Sequence, residues 1–379
     1  MEAAPQTFRA AATAAYDIAV VGGGILGSAT ALRLAEGGMR VVLLEAGDLG
    51  QGASGVNAGT LSLQIKRVKL MEYALRGHAL WEEMGQAVEF QRTGGYTLAF
   101  TEREAELLET RQTLKRDAGA PITFVTPAEV REAEPGLTEA VVAASYCPDD
   151  GYANSSLTGQ FYRAALAEAG VTVREGTPVS AIAREAPGFR LSTPDGPVAA
   201  RRLLLACGGW MQRAAAMIGL DLPVTARINT VSVTERGRAL VRSVIGHATG
   251  LLTLKQKGAG TVLIGGGWQG RGAPEAGARG EVDPETLLTN LRLAQFAVPG
   301  LRNLRVTRSW TGFEAHVPDF YPLAGAAPGV EDAFLLGCVR GGYTIGPYMG
   351  RLMGDLILGR EPELPLFDPG RDFSRDNYA

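Results

Sequence analysis

The chain has 379 residues, 46% of them hydrophobic and 20% charged, enough for two or three ordinary domains with a buried core. Its 37 basic and 40 acidic residues leave a formal charge of −3, so no long-range basic field draws it to nucleic acid or anionic lipid. Three scattered cysteines (Cys147, Cys207, Cys338) and three unclustered histidines (His78, His247, His316) offer no disulfide framework, iron–sulfur motif or His-based metal site. No apolar run approaches the ~18 residues that would span a bilayer. Residues 1–15 are Ala-rich without the apolar centre of a signal peptide, and read as a flexible leader. The expected compartment is the reducing cytoplasm.

The first element is the apolar run at 16–21, which leads straight into Gly22-x-Gly24-x-x-Gly27. Residues 28–36 read as a helix stopped by Gly37-Gly38, and a second apolar run, 41–44, ends on Glu45. Strand, glycine turn, helix, strand and terminal acid together describe a dinucleotide-binding unit. Gly22 permits the tight turn, Gly24 lets backbone N–H groups approach a pyrophosphate, and Gly27 lets the helix pack on the strand. The phosphates then sit at the helix N-terminus, where unpaired N–H groups favour negative charge. Glu45 falls at about the 20-residue offset of a carboxylate that grips a ribose hydroxyl. An acid there argues against a 2′-phosphate and leaves FAD or NAD.

Residues 47–60, rich in Gly, Ser and Asn, suit a backbone lying against a flat ring or a diphosphate. Residues 67–90 have helical periodicity, with Leu70, Tyr73, Ala74, Leu80, Trp81 and Met84 near one face. A strand at 93–100 precedes a charged helix at 101–119, opened by the capping pattern Thr101-x-x-Glu104. Residues 122–137 read as a strand and a short helix, and this block looks like an inserted second domain. A helix follows at 156–169, then short strands at 171–173 and 179–182. A hairpin joins 189–193 to 198–200 around Pro194-Asp195-Gly196. Residues 202–210 repeat the opening device, a buried strand ending in small residues, and return the chain to the first sheet where ligands bind in doubly wound folds. Cys207 there is a small buried filler rather than a nucleophile.

Residues 224–268 alternate as strands of an antiparallel sheet, 270–280 form a Gly/Ala-rich loop that is a candidate lid, and 285–296 form a helix. Residues 308–322 hold Pro318 and Pro322, which excludes a regular central strand. A buried strand at 334–338 runs into a Gly-rich turn, and a helix is expected over 348–358 with Pro347 in its first turn. A helix N-terminus aimed at a flavin would stabilise the negative charge that builds at N1 and the C2 oxygen on reduction.

Three features stand together: the N-terminal dinucleotide unit, the strand end Ala206-Cys207-Gly208-Gly209-Trp210, and Pro318-Asp319-x-x-Pro322 ahead of a Gly-rich turn and terminal helix. Over residues 17–359 they resemble the FAD-dependent D-amino-acid oxidase superfamily, the group of glycine oxidase, sarcosine oxidase and D-amino-acid dehydrogenases. Within it, the chain resembles the flavin subunits of heteromeric opine oxidases, sarcosine oxidase and proline dehydrogenase. The resemblance implies an α/β chain (α+β overall), with a Rossmann-like FAD-binding domain and an inserted mixed or antiparallel β-sheet substrate domain. The expected division assigns 16–90, 146–223 and 305–379 to the first, and 91–145 and 224–304 to the second.

It also implies oxidation of the C–N bond of an amino acid, N-substituted amino acid or opine by hydride transfer to flavin N5, with hydrolysis of the imine. The cofactor carries that chemistry and the protein positions the reactants, so no obligatory side-chain base is expected. Arg340 matches an arginine that pairs with the substrate carboxylate in glycine oxidase-like members, as a planar guanidinium can do bidentately. Glu314 stands where those members carry a further arginine, which suits a substrate with a cationic group such as a guanidino opine. His316, Tyr343 and Lys255 are secondary candidates, each expected to be structural before catalytic. The cofactor is expected against Gly22, Gly24, Ile25, Leu26, Gly27, Glu45, Ala46, Ser54, Asn57, Ala58, Gly59, Cys207, Gly208, Trp210, Gly337, Gly341, Gly342, Tyr343 and Thr344. No cysteine lies between Trp310 and Pro322, where monomeric sarcosine oxidases attach flavin, so FAD is expected to be non-covalent. Electrons would leave to oxygen, a quinone or a partner redox subunit. Two alternatives stay open: an NAD-dependent dehydrogenase, and a flavin-bearing subunit active only in a hetero-oligomer.

Overall fold

The computed structural model describes residues 15–275 and 280–374. The expected leader, apart from Ala15, lies outside the described residues, as do 276–279 of the candidate lid and 375–379. Strands β1 (Tyr16–Val21) and β2 (Val41–Leu44) flank helix α1 (Ile25–Glu36), and helix α2 (Met71–Met84) follows. Strands β3 (Val198–Leu205) and β4 (Thr225–Thr234) lie mid-chain. Strands β5 (Val306–His316) and β6 (Ala333–Gly337) and helix α3 (Gly342–Ile357) close the chain.

The first sheet has eight strands. At its centre β1 pairs in parallel with β2 on one side and β3 on the other, and β6 runs parallel beside β3. Val41, Val42, Leu43 and Leu44 are all buried, because helices cover one face and a second apolar cluster covers the other. A parallel strand enclosed in this way reads as an unbroken apolar run, which is why β1 and β2 were recognisable. The hairpin expected at 189–200 forms, with Leu191 opposite Val198. Its second strand continues without a break into the buried run at 202–205, so the two expected elements are the single strand β3.

The second sheet also has eight strands, with β5 at its edge and β4 next to it. Its pairings are antiparallel except where Val244–His247 runs parallel to Gly95–Ala99, so the sheet is mixed. β5 pairs with β4 along nearly its whole length, from Thr225 opposite His316 to Val233 opposite Arg308. It is a regular strand, but an edge strand that ends before Pro318, so the two prolines lie beyond its ladder. Residues 306–316 therefore share the second sheet, although the sequence grouped them with the first.

β5 is also where the two sheets meet. The Trp310 indole N–H donates to the Val56 carbonyl at 2.6 Å, and Phe313 packs on Trp210 with ring centroids 5.5 Å apart. A Cβ at Gly312 would lie 2.6 Å from the Val56 side chain, so the approach requires glycine.

Helix α3 begins six residues earlier than the sequence suggests, at Gly342, which puts Pro347 inside it. Proline has no N–H to return to the carbonyl four residues back, an interior defect costing about 3 kcal/mol when uncompensated. Here that carbonyl, of Tyr343, accepts the Trp81 indole N–H from α2 at 2.9 Å. α3 also packs closely on α1: a Cβ at Gly350 would lie 2.5 Å from Ala29 Cβ, and Arg33 pairs with Asp355 at 2.7 Å. No helix among the described residues is long and apolar enough to cross a membrane, and no group of His, Cys, Asp or Glu among them could hold a metal ion.

Candidate functional site

Because β1, β2, β3 and β6 run parallel, their C-terminal ends lie along one edge of the first sheet. That edge gathers Gly22, Glu45, Cys207 and the 338–342 turn, stretches that are far apart in sequence. Gly22 sits at φ +107, and a Cβ there would lie 2.5 Å from the Ala206 carbonyl oxygen. At Gly27 a Cβ would lie 2.0 Å from the Gly22 carbonyl oxygen. Both glycines are therefore steric requirements of the turn.

The Ser54 hydroxyl, from the loop after β2, accepts the Ile25 N–H at 2.9 Å, while the first donor inside α1 is Ser28 to Gly24 O at 2.9 Å. Between them the N–H groups of Leu26 and Gly27 belong to the first turn, where a helix has no partners of its own. Glu45 and Ala46 follow the end of β2. The Glu45 carboxylate accepts from Gly23 N at 2.7 Å and from Gly47 N at 2.9 Å, which fixes it beside the turn. A carboxylate offers about four acceptor positions, so this anchoring leaves capacity for ribose hydroxyls. Asn57 closes the short helix Ala53–Val56: its amide donates to Ala53 O and Ser54 O, and its oxygen accepts from Gly59 N at 2.6 Å. It thereby shapes the Ala58–Gly59 backbone rather than presenting a side chain.

On the next strand, Cys207 Sγ donates to Val21 O at 3.3 Å and Gly208 takes φ +52. Burial raises the Cys207 thiol to about 12, and Cys338 likewise, so neither is a thiolate nucleophile near neutral pH. Trp210 donates its indole N–H to Glu275 O.

β6 ends on Gly337, and Cys338 at φ +58, Arg340, and Gly341 at φ +62 as the N-cap of α3 follow. Gly342 and Tyr343 open the helix. Thr344 is fully buried in the first turn of α3, and its Oγ1 has no hydrogen-bond partner among the described residues. An orphaned hydroxyl at a helix N-terminus, two glycine-lined turns, a fixed carboxylate and first-turn N–H groups together fit a dinucleotide cofactor.

The substrate-side candidates separate. Arg340 is exposed, its guanidinium 5.2 Å from the centroid of the Phe320 ring. Arg67, which sequence reasoning missed, approaches the same ring at 5.0 Å. His316 stacks on Phe320 at 4.8 Å and has its Nε2 3.0 Å from Thr225 Oγ1. Phe320 itself adopts φ +59, an uncommon conformation for a bulky residue. Asp319 of the Pro-Asp-x-x-Pro pattern is buried and paired bidentately with Arg371, a structural role.

Tyr343, considered as a catalytic residue, faces the protein interior. It is buried, its hydroxyl is bonded to Thr158 Oγ1 at 2.9 Å, and its ring is tilted on Trp81. Burial pushes its phenol pKa well above the ordinary value. Glu314, expected to face a substrate cation, has both oxygens engaged: Oε1 accepts from Gly341 N at 2.7 Å and Oε2 from Asn229 Nδ2 at 2.9 Å. Lys255 is buried with Nζ 2.7 Å from Thr60 Oγ1, and burial lowers it to about 7. Lys66, also missed, is buried with Nζ donating to Gly341 O at 2.7 Å; burial lowers it to about 8, against the attraction of Glu314 and Asp150. No local pattern marks Lys66 or Asn229, since each is defined by a contact distant in sequence.

A dinucleotide turn on parallel central strands, a second Gly-rich helix end on the same sheet and a mixed sheet docked against both define a flavoprotein-like oxidoreductase. The chain matches the family described as FAD dependent oxidoreductase over residues 17–356, and it belongs to that family. It is 30% identical to glycine oxidase of Geobacillus kaustophilus, over 93% of this chain and 95% of that protein. It is 29% identical to an opine oxidase subunit of Rhizobium meliloti, over 86% and 89%. The crystal structure of the Geobacillus kaustophilus glycine oxidase superposes with a TM-score of 0.86 at 29% identity, covering 94% of this chain and 99% of that one. The protein is thus an FAD-dependent oxidoreductase, which decides between the two cofactors that its opening motif left open.

Proposed function

We propose that the protein oxidises the C–N bond of an amino acid, an N-substituted amino acid or an opine. FAD, when bound, supplies the hydride acceptor. The residues expected to hold it are Gly22, Gly24 and the first turn of α1 for the phosphates, Glu45 for the ribose, and the first turn of α3 for the ring. The observation that carries the substrate reading is the placement of Arg340, one residue before the N-cap of α3 at the shared sheet edge. A guanidinium there, shelved on the Phe320 ring, can take a substrate carboxylate bidentately and hold the amine-bearing carbon in one orientation. No side-chain base is assigned, since the amine needs only to be neutral. The imine product hydrolyses in water. With all three cysteines raised by burial, attachment of FAD is read as non-covalent.

The similarity to an opine oxidase subunit supports a second reading, a flavin-bearing chain that delivers its electrons through a partner in a hetero-oligomer. Oxygen and a quinone are the other acceptors considered, and the reading places the protein in the cytoplasm.

The test is the absorbance spectrum of the FAD-loaded protein, followed anaerobically as amines are added. Bleaching of the band near ~450 nm by amino acids or opines supports the proposal. A yellow protein that no amine bleaches overturns autonomous amine oxidation and favours the partner-dependent reading.

A further inference from the structure

Gly341 is gripped on both sides by opposite charges. Its N–H donates to Glu314 Oε1 at 2.7 Å, and its carbonyl accepts from Lys66 Nζ at 2.7 Å. It has no side chain with which to cap α3, so these two residues orient the entrance to the helix. One comes from the second sheet and the other from the segment before α2.

Both grips are supported from behind. Asn229 Nδ2 holds the other Glu314 oxygen, and Gln269 Nε2 donates to Asn229 Oδ1 at 2.8 Å. Lys66 is 5% exposed, and Gly341 O is the one hydrogen-bond partner of its ammonium among the described residues. Asp150 contributes attraction from a distance, but its carboxylate is already held by Ser62, the Leu63 N–H and Gln64. Lys115 opposes the ammonium by repulsion.

We propose that Lys66 and Glu314 are positioning residues that fix the Gly341 turn against bound FAD and set, with opposite signs, how readily the cofactor accepts charge. The proposal rests on the reading that the N-terminus of α3 faces the flavin ring. A cation at a helix N-terminus adds to the positive end of the dipole and favours the negative charge gained on reduction, whereas an anion opposes it. A passive structural clasp has no such sign.

The midpoint potential of the FAD-loaded protein, measured by dye-equilibrated chemical reduction, provides the test and needs no amine substrate. Lys66→Met should lower the potential, Lys66→Arg should restore it towards the parent value, and Glu314→Gln should raise it. Lys66→Met should also weaken FAD binding about tenfold, the effect of losing one charge-assisted hydrogen bond. Glu314→Gln keeps the side-chain volume and carries the test alone should Lys66→Met fail to fold. Shifts of both variants in the same direction, or no shift in either, overturn the proposal. Failure of the amine-oxidation reading would look different: the potentials would still split while no amine bleached the flavin.

Discussion

The two ends of the proposed cofactor site, the phosphate end at α1 and the ring end at α3, are built from the same part, a helix entered through glycine at the end of a parallel strand, yet they are held differently. At α1 the N-cap is Gly24, the supporting acceptor is the neutral hydroxyl of Ser54, and Glu45 is anchored by two backbone N–H groups of its own unit. At α3 the N-cap is Gly341, and its supports are the charged side chains of Lys66 and Glu314. The phosphate end is a short-range assembly, largely complete within some thirty residues. The ring end exists only once both sheets have docked, so its electrostatics can be changed by substitutions that leave the dinucleotide turn untouched.

The sharpest break of this comparison is at the phosphate end. Gly27→Ala places a Cβ into the Gly22 carbonyl, and overpacking of this kind costs about 1–3 kcal/mol or more. We expect a protein that retains no FAD after gel filtration and melts well below the parent. Full retention of cofactor would show that the turn tolerates displacement.

At the ring end, Arg340→Ala should lower kcat/KM about a hundredfold, corresponding to ~3 kcal/mol for a charge-assisted contact, while leaving FAD affinity in place. An unchanged kcat/KM would remove Arg340 from substrate binding.

A smaller effect lies within α3. Trp81→Phe leaves the Tyr343 carbonyl without its donor and should cost about 1–2 kcal/mol in chemical denaturation. In a Pro347→Ala background the helix supplies its own N–H, so the same substitution should cost less. Equal costs in the two backgrounds would show that Trp81 acts through packing alone.

The smallest expected effect concerns pH. Lys255, beside Thr60, is lowered by burial to about 7, against about 10.4 in an unfolded chain. Below pH 7 both states hold the proton and the burial penalty is fully present. Between about 7 and 10.4 the unfolded state binds more protons, so the parent gains stability as pH rises. The stability difference between Lys255→Met and the parent should therefore shift in the parent's favour from pH 6.5 to 9.5. A constant difference would mean that Lys255 is hydrated in the folded protein.

Much of the strand–turn–helix unit proposed to hold the cofactor was legible before folding was considered. The glycines at 22, 24 and 27 and the acid at 45 are separated by distances that one turn of chain dictates, and the buried parallel strands around them are unbroken apolar runs. Glu314 shows the opposite case. The sequence suggested a partner for a substrate cation and showed neither of its neighbours: pairing of β5 with β4 brings Asn229 to one of its oxygens and the docked turn brings Gly341 to the other. Tyr343 likewise lies in the expected Gly-rich turn, yet the early start of α3 turns it against Trp81 and Thr158.

The amino-acid sequence by itself determined the dinucleotide unit, the two-sheet organisation and the positions of most helices, because backbone conformation and apolar periodicity act over a few residues. Tertiary structure alone decided that β5 edges the second sheet, that Trp81 relieves Pro347, and that Lys66 and Glu314 meet at Gly341. Those outcomes depend on strand register and on docking between segments up to 275 residues apart, and no local pattern encodes such contacts.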